Sequence, residues 1–144
     1  MKYVYEIEVN APLEKVVRLA GDPANRMSWM DGIESYEPVS GTPGEVGSKS
    51  KMVFKTGNMK MTMVGTVVAN NLPQSFTESI DASNLTSTAI SKFIAIAPDK
   101  TKYISEQNFA FKGLFNKIVG FLLQGEFKKQ TLRHMEGFKR FVEQ

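Results

Sequence analysis

The chain of 144 residues contains no cysteine, a single histidine and a single tryptophan. Without cysteine it can form no disulfide, no thiolate nucleophile and no cysteine-based zinc site. One histidine, His134, is too few for a zinc site built from imidazoles, so we expect neither a metal nor a cofactor. A chain without cysteine suits a reducing compartment, and we expect the protein to be cytoplasmic.

Long apolar runs are also missing. The nearest approach, Leu114 to Leu123, is shorter than the roughly 20 residues that a membrane-spanning helix needs, so we expect no transmembrane segment. Glu6 and Glu8 interrupt the N-terminal stretch, and we therefore expect no signal peptide. The sequence has no Gly-rich phosphate loop, HExxH or Gly-x-Ser-x-Gly motif, which disfavours a nucleotide-dependent or hydrolytic enzyme.

Charge is moderate and dispersed, with a net charge of +3 and an isoelectric point near 9.1. Lys49, Lys51 and Lys55 alternate along one predicted strand, which is typical of the solvated face of a sheet. The sequence has no arginine cluster and no recognition-helix pattern. We therefore expect no nucleic-acid partner.

Alternating apolar and polar residues predict a β-strand over residues 2–10. Pro12 and Gly21 bound a first short helix, and a second short helix carries Trp29. Gly57-Asn58 is a predicted tight hairpin turn, one of several turns that separate further strands. These strands are predicted at residues 33–40, 48–56, 59–68, around 76–80, 86–97 and 102–111.

An antiparallel sheet of about seven strands that is wet on one face must cover its other face with another element. The C-terminal segment, Gly113 to Gln144, is the only predicted helix long enough to do so. The sequence therefore predicts a single α+β domain over residues 1–144. Its strongly curved antiparallel sheet wraps around a long C-terminal helix, with two short helices after the first strand. This arrangement readily leaves a cavity between sheet and helix.

The C-terminal segment is predicted to be one helix of about thirty residues whose apolar stripe changes face. Leu123 and Phe127 begin one face, Leu114 to Leu122 fills a different arc, and Gly120 and Gly125 mark the change. The second half is expected to close the sheet. The first half could pack under the sheet's rim, form a homodimer contact, or make a transient contact with a membrane or a donor protein near the cavity opening.

Four short motifs follow one another along the chain. They are Val9-Asn10-Ala11-Pro12-Leu13-Glu14-Lys15-Val16, Asp22-Pro23 to Trp29, Gly44 to Gly47, and Phe127 to Glu143 with Gly137-Phe138-Lys139-Arg140-Phe141-Val142-Glu143 at its end. In order and spacing, over nearly all of the chain, they resemble the START-like, SRPBCC helix-grip superfamily and its polyketide cyclase/dehydrase and lipid-transport group. The resemblance implies a deep apolar cavity for lipids, polyketides or other hydrophobic small molecules. It implies no single reaction, because the superfamily has no universal catalytic triad.

Several methionines on adjacent predicted strands are expected to face this cavity, namely Met52, Met59, Met61 and Met63. Unbranched, polarizable side chains suit irregular apolar ligands, although methionine also fills gaps in ordinary cores. Trp29 is either a core or rim anchor or part of the cavity mouth. Ser105 and Gln107 could orient a ligand carbonyl or hydroxyl. The predicted ligand-binding residues are Trp29, Met52, Phe54, Met61, Met63, Phe76, Phe93, Gln107, Phe109, Phe127 and His134.

Two ionisable residues are candidates for chemistry, His134 and Glu78. His134 falls on the apolar face of the last helix, where it could be a general base, a ligand hydrogen-bond partner or a structural residue. Glu78 shares strand parity with Phe76 and Ile80, which points it inward unless a bulge or an edge position returns it to water.

Three functions remain open on the sequence alone. The first is a non-enzymatic carrier or sensor of a hydrophobic small molecule, such as a lipid or a polyketide-like compound. The second is a cyclase or dehydratase that uses His134 and Glu78 for proton transfer. The third is a co-chaperone-like interaction module that uses the surface of Leu114 to Leu122.

Overall fold

Seven β-strands and four α-helices follow one another in the predicted order, except that two helices replace the single C-terminal helix that was predicted. A computed structural model of the chain describes residues 1–144, apart from the side chain of Thr56. The elements are β1 (Lys2–Val9), α1 (Leu13–Ala20), a 3-10 turn (Pro23–Asn25), α2 (Arg26–Trp29), β2 (Ile33–Ser40), β3 (Lys49–Thr56), β4 (Met59–Asn71), β5 (Ser75–Asp81), β6 (Leu85–Ala97), β7 (Lys100–Phe111), α3 (Leu114–Leu122) and α4 (Gln124–Val142).

The strands form one curved antiparallel sheet in the order β1-β7-β6-β5-β4-β3-β2. Consecutive strands pair from β2 to β7, and the first strand closes onto the last, so that Ile7 lies opposite Tyr103. The long helix α4 lies against one face of this sheet. The structure thus confirms the predicted α+β architecture, including the two short helices after the first strand.

The alternation of side chains gives the sheet an outer and an inner face. Lys51 and Lys55 are exposed on the outer face of β3, whereas Met52 and Phe54 are buried on the inner face. Met59 shares this face with Met61 and Met63 and lines the interior as predicted, but it is 75% exposed. It is the first residue after the hairpin turn at residues 57–58, at the end of the sheet, where it lies on the rim of the interior.

A solid core fills one end of the molecule, where α1 and the second half of α4 meet β1, β6 and β7. Phe138 is its centre, with ring centroids 5.2 Å from Trp29, 5.5 Å from Tyr103 and 6.1 Å from Phe93. The buried residues of this core are Val9, Ala11, Val16, Phe93, Tyr103, Met135, Phe138 and Val142.

The C-terminal segment is two helices rather than the single helix that was predicted. Leu123, with φ −98° and ψ 7°, lies between α3 and α4 and ends the regular helical geometry. The break allows the two apolar arcs to contact different surfaces. In α3 the buried Gly120 lies directly on the ring of Phe111 at the end of β7, and a side chain at residue 120 would overlap that ring.

A second glycine sets the distance between α2 and α4. Gly137 is buried in α4 directly beneath the backbone carbonyl of Trp29, and a Cβ atom at residue 137 would overlap the carbonyl oxygen. This contact holds α2 against the long helix. The position of Arg26, on the first turn of α2, therefore depends on it.

We expect Gly137→Ala to lower the free energy of unfolding by about 1–3 kcal/mol, because overpacking against a fixed backbone outweighs the higher helix propensity of alanine. Urea unfolding followed by circular dichroism measures the change. Gly125→Ala is the matched control, since nothing lies within 4 Å of a Cβ atom at residue 125 of the same helix. An equal loss in both variants would contradict the proposed contact.

Candidate functional site

A cavity of about 800 Å³ lies between the inner face of the sheet and the first half of α4. The solid core closes it at the end where Phe138 lies, and its rim includes Met59 and Glu126. The structure places every residue predicted from the sequence to bind ligand on its wall. These are Trp29, Met52, Phe54, Met61, Met63, Phe76, Phe93, Gln107, Phe109, Phe127 and His134.

Most of the wall is apolar. Strands β3 to β5 supply methionine, phenylalanine and isoleucine side chains, and α4 supplies Phe127 and Met135. Phe127 packs against Phe109 and Phe111, with ring centroids 5.4 Å apart in both pairs. Met135 was not among the predicted site residues. Its place in the helical pattern could not show whether its side chain lies in the cavity wall or in the core, and it contacts both.

A buried ion pair lies in the wall. Arg26 donates from Nη1 to Glu78 Oε1 and from Nη2 to Glu78 Oε2, both over 3.1 Å. The two side chains are only 12% and 11% exposed. Arg26 Nη1 also lies 3.6 Å from Met52 Sδ. The two parallel hydrogen bonds fix the carboxylate and guanidinium planes relative to each other, as such bidentate pairs do.

The inward orientation of Glu78 follows its strand parity, and neither a bulge nor an edge position returns it to water. Gly65 on the neighbouring strand β4 leaves the room that this requires, because a Cβ atom at residue 65 would lie 3.2 Å from the Glu78 carboxylate and 3.2 Å from Met52 Cε. The partner, Arg26, was missed. A buried carboxylate called for a cation, but nothing local to Glu78 pointed to a residue 52 positions earlier.

His134 also lies on the wall, and its hydrogen bonds indicate which ring nitrogen carries the proton. Its Nε2 atom is 2.9 Å from Nε2 of Gln130 and 3.2 Å from the carbonyl oxygen of Asp31. Gln130 Oε1 accepts a hydrogen bond from Arg133 over 2.6 Å, which sets the orientation of the amide. The Gln130 amide nitrogen is also 3.2 Å from the Asp31 carbonyl, so its two hydrogens can reach the histidine and the carbonyl together.

This network favours a neutral imidazole whose Nε2 lone pair accepts from Gln130 and whose proton sits on Nδ1. Burial acts in the same direction, because loss of solvation lowers the pKa of His134, and this outweighs the opposing influence of the Asp31 carbonyl and carboxylate. Among the described residues no group bonds to Nδ1. The Nδ1–H is therefore left without a protein acceptor among these residues, while the basic nitrogen is occupied.

A polar strip runs along β6 and β7 on the floor of the cavity. Gln107 donates to the Ser105 hydroxyl over 2.9 Å, and Ser91 and Tyr103 lie beside it. Burial raises the pKa of Tyr103, so its phenol stays protonated. Ser105 and Gln107 were expected here as polar fixtures, whereas Ser91 and Tyr103 were not identified as site residues. Their small or amphipathic side chains are equally common in cores.

No charged side chain on the described wall is left without an opposite charge. Besides the Arg26–Glu78 pair, three wall residues near the rim have partners outside the cavity. These pairs are Lys60–Glu34, Arg133–Asp31 and Glu126–Lys129. The cavity is thus apolar over most of its surface, with neutral hydrogen-bonding groups and a balanced ion pair.

The described residues hold neither a metal-ligand cluster nor a membrane-spanning helix. Over the part of the chain that the structure describes, no three His, Cys, Asp or Glu side chains come together as a metal site would require. None of its helices combines the length and apolar character needed to cross a bilayer.

Comparison with known proteins identifies relatives of this arrangement. Residues 1–139 match the family described as polyketide cyclase / dehydrase and lipid transport, which confirms the resemblance found in the sequence. An aromatase/cyclase from Streptomyces sp. R1128 has a TM-score of 0.86 at 10% identity, over 99% of this chain and 93% of that chain. A comparison with curated protein sequences gives no match.

Two other solved structures share the fold. A protein of Thermus thermophilus has a TM-score of 0.82 at 16% identity, over 99% of this chain and 97% of that chain. A START superfamily protein from Mycobacterium smegmatis has a TM-score of 0.78 at 12% identity, over 98% of each chain. At these identities the structures show a common fold and nothing about a common ligand.

The buried ion pair generates a prediction about stability. We expect Arg26→Met and Glu78→Gln each to lower the free energy of unfolding by about 3 kcal/mol, because each leaves the other residue of the pair as an uncompensated charge in the cavity wall. The double variant should lose clearly less than the sum of the two, because it retains neither charge. Denaturant unfolding of all four proteins measures the coupling. Strictly additive losses would show that the pair contributes nothing.

Proposed function

Since the chain belongs to the polyketide cyclase/dehydrase and lipid transport family, we propose that residues 1–144 form a single domain that carries or senses a hydrophobic small molecule. The ligand occupies the cavity between the sheet and α4. The residues predicted to contact it are those that line the apolar wall, above all the methionines and phenylalanines of β3 to β5 and of α4.

One observation carries the proposal, namely a cavity of about 800 Å³ whose wall is mostly apolar and whose charges are all paired. A volume of this size is within the range of small-molecule sites, and apolar walls with a few polar groups are typical of them. Flexible methionine side chains at Met52, Met61 and Met63 adapt to ligands of irregular shape.

The polar groups further favour a ligand that is neutral and carries oxygen. Arg26 and Glu78 cancel each other's charge, so an ionised head group would find no free counter-charge in the wall. Hydroxyl and carbonyl groups can instead pair with the polar strip of Ser91, Tyr103 and Gln107, or accept from the Nδ1–H of His134. We therefore propose a mostly apolar ligand with hydroxyl or carbonyl groups rather than a fatty-acid anion.

A second candidate function is a cyclase or dehydratase, favoured by the presence of both His134 and Glu78 on the cavity wall. Their surroundings weaken it. Glu78 is engaged by both nitrogens of a guanidinium, and the lone pair of His134 is directed at Gln130. A general base needs a free lone pair within reach of the proton it removes. In this arrangement the basic lone pair of His134 is already occupied, and the carboxylate of Glu78 is already neutralised by the guanidinium of Arg26, which supports binding over acid–base catalysis.

Ligand charge provides a direct test. In displacement of the neutral fluorophore N-phenyl-naphthylamine, we expect decanol to compete better than decanoate with the unchanged protein. Glu78→Gln should reverse this order, so that decanoate competes about tenfold better than decanol, because Arg26 then offers an unpaired positive charge in a poorly solvated site. Arg26→Gln should conversely favour decylamine, and it keeps the test available if Glu78→Gln does not fold.

Glu106→Gln is the matched control, because it removes one partner of the Lys92–Glu106 pair on the outer face of the same sheet. It should leave the order of the ligands unchanged. Failure of the fluorophore to bind at all would refute the binding proposal. Binding with equal preference for the three head groups would refute only the part that concerns the neutral ligand.

Turnover separates carrier from cyclase. We expect a soluble poly-β-ketone incubated with the protein to cyclise at its spontaneous rate, with the same products in the presence of His134→Gln or Glu78→Gln, because the basic lone pair of His134 is occupied and the Glu78 carboxylate is neutralised by Arg26. Product analysis by liquid chromatography measures this. Acceleration by the unchanged protein that both variants abolish would establish the cyclase instead.

A further inference from the structure

The outer surface of α3 is unusually apolar for a helix in contact with solvent. Leu114, Phe115, Phe121 and Leu122 are 77%, 78%, 70% and 73% exposed, and Ile118 beside them is 55% exposed. Their spacing places them along one side of the helix. The opposite side holds Gly120 against Phe111. The sequence left three roles open for this segment. The Gly120 contact seats one side of α3 on the end of β7, whereas the apolar side remains exposed.

Positive charge is concentrated around this helix. The segment from residue 112 to 129 contains four lysines and one glutamate, a net charge of +3. Since the whole chain has a net charge of +3, the remaining residues are neutral in sum. Lys112, Lys117 and Lys129 are exposed. The moderate basicity of the chain is thus a local property of α3 and its flanks.

The helix is also structurally continuous with the cavity. Gly120 rests on Phe111, whose ring packs on Phe127, and Phe127 lies on the cavity wall together with the rim residue Glu126. Only Leu123 separates α3 from the helix that covers the cavity. A surface that binds α3 would therefore lie within a few residues of the cavity opening.

We propose that α3 docks on an anionic lipid surface, with its apolar side inserted among the head groups and the flanking lysines against lipid phosphates. An apolar helix side bordered by lysines is the arrangement of interfacial helices. A second copy of this chain fits less well, because its own net charge of +3 over the same segment would face the first. The inference does not depend on which ligand the cavity holds.

Vesicle co-sedimentation of the full chain, without added ligand, tests the proposal. We expect binding to phosphatidylcholine vesicles containing phosphatidylglycerol to be at least about tenfold tighter than to phosphatidylcholine alone. High salt should weaken it, because it screens the attraction of the lysines. Phe115→Ser with Leu122→Ser should lower the affinity at least about tenfold by removing apolar area that enters the lipid.

Two matched controls test whether binding depends on the position of these residues in α3 or only on the overall hydrophobicity and charge of the protein. Val39→Ser with Val46→Ser removes apolar side chains that are 59% and 65% exposed elsewhere and should leave binding unchanged. Lys117→Glu with Lys129→Glu should abolish the preference for anionic vesicles. Lys51→Glu with Lys55→Glu makes the same change of net charge on the outer face of the sheet. This variant should retain most of the preference for anionic vesicles.

Three results would overturn the proposal. The first is the absence of binding to anionic vesicles. The second is an equal loss of binding in the variants and their controls, which would assign it to overall charge or hydrophobicity. The third is a dimer in analytical ultracentrifugation that the Phe115→Ser and Leu122→Ser variant dissociates, which would show that a second copy covers the α3 surface.

Discussion

The packing of Phe138 against the sheet and against Trp29 is the contact on which the other features of this molecule depend. It fixes the second half of α4 to the inner face of β6 and β7, and the buried Gly137 lets α2 approach the same helix closely. Because α4 is held at that end, its first half can cross the concave face of the sheet, where Phe127 contacts β7, and enclose a cavity beneath it. Because α2 is held there too, Arg26 reaches the cavity wall from outside the sheet.

We infer that the resulting ion pair sets the electrostatic character of the cavity rather than stabilising the fold. A buried pair gains little stability over an apolar replacement, since desolvation offsets most of the attraction. It does cancel two charges in a place where either alone would select ligands of opposite sign. The same logic applies at the rim, where Lys60, Arg133 and Glu126 each have a partner. Under the proposed function, selectivity for neutral molecules would thus arise from charges that are present and balanced.

Most of the fold could be predicted from the sequence because its signals are local. Period-two alternation located the strands, and proline and glycine marked the turns and helix ends. Placing Glu78 inside required only its parity with Phe76 and Ile80. The partner Arg26, the occupied lone pair of His134 and the break at Leu123 could not be predicted in the same way. Each depends on contacts between residues far apart in sequence, or on the balance between two surfaces that compete for one helix.

The break at Leu123 separates two apolar surfaces that differ in electrostatic character. Inside, the wall of α4 and the sheet is apolar with every charge balanced. Outside, α3 is apolar with a surplus of lysines. One straight helix could not present both, because its apolar stripe would have to face the sheet and the solvent at once. The break at Leu123 lets the two helices point their apolar sides in different directions, with only one residue outside regular helical geometry. It also places the cationic surface beside the cavity opening. A neutral ligand would then cross between lipid and protein without meeting an unpaired charge on the cavity wall.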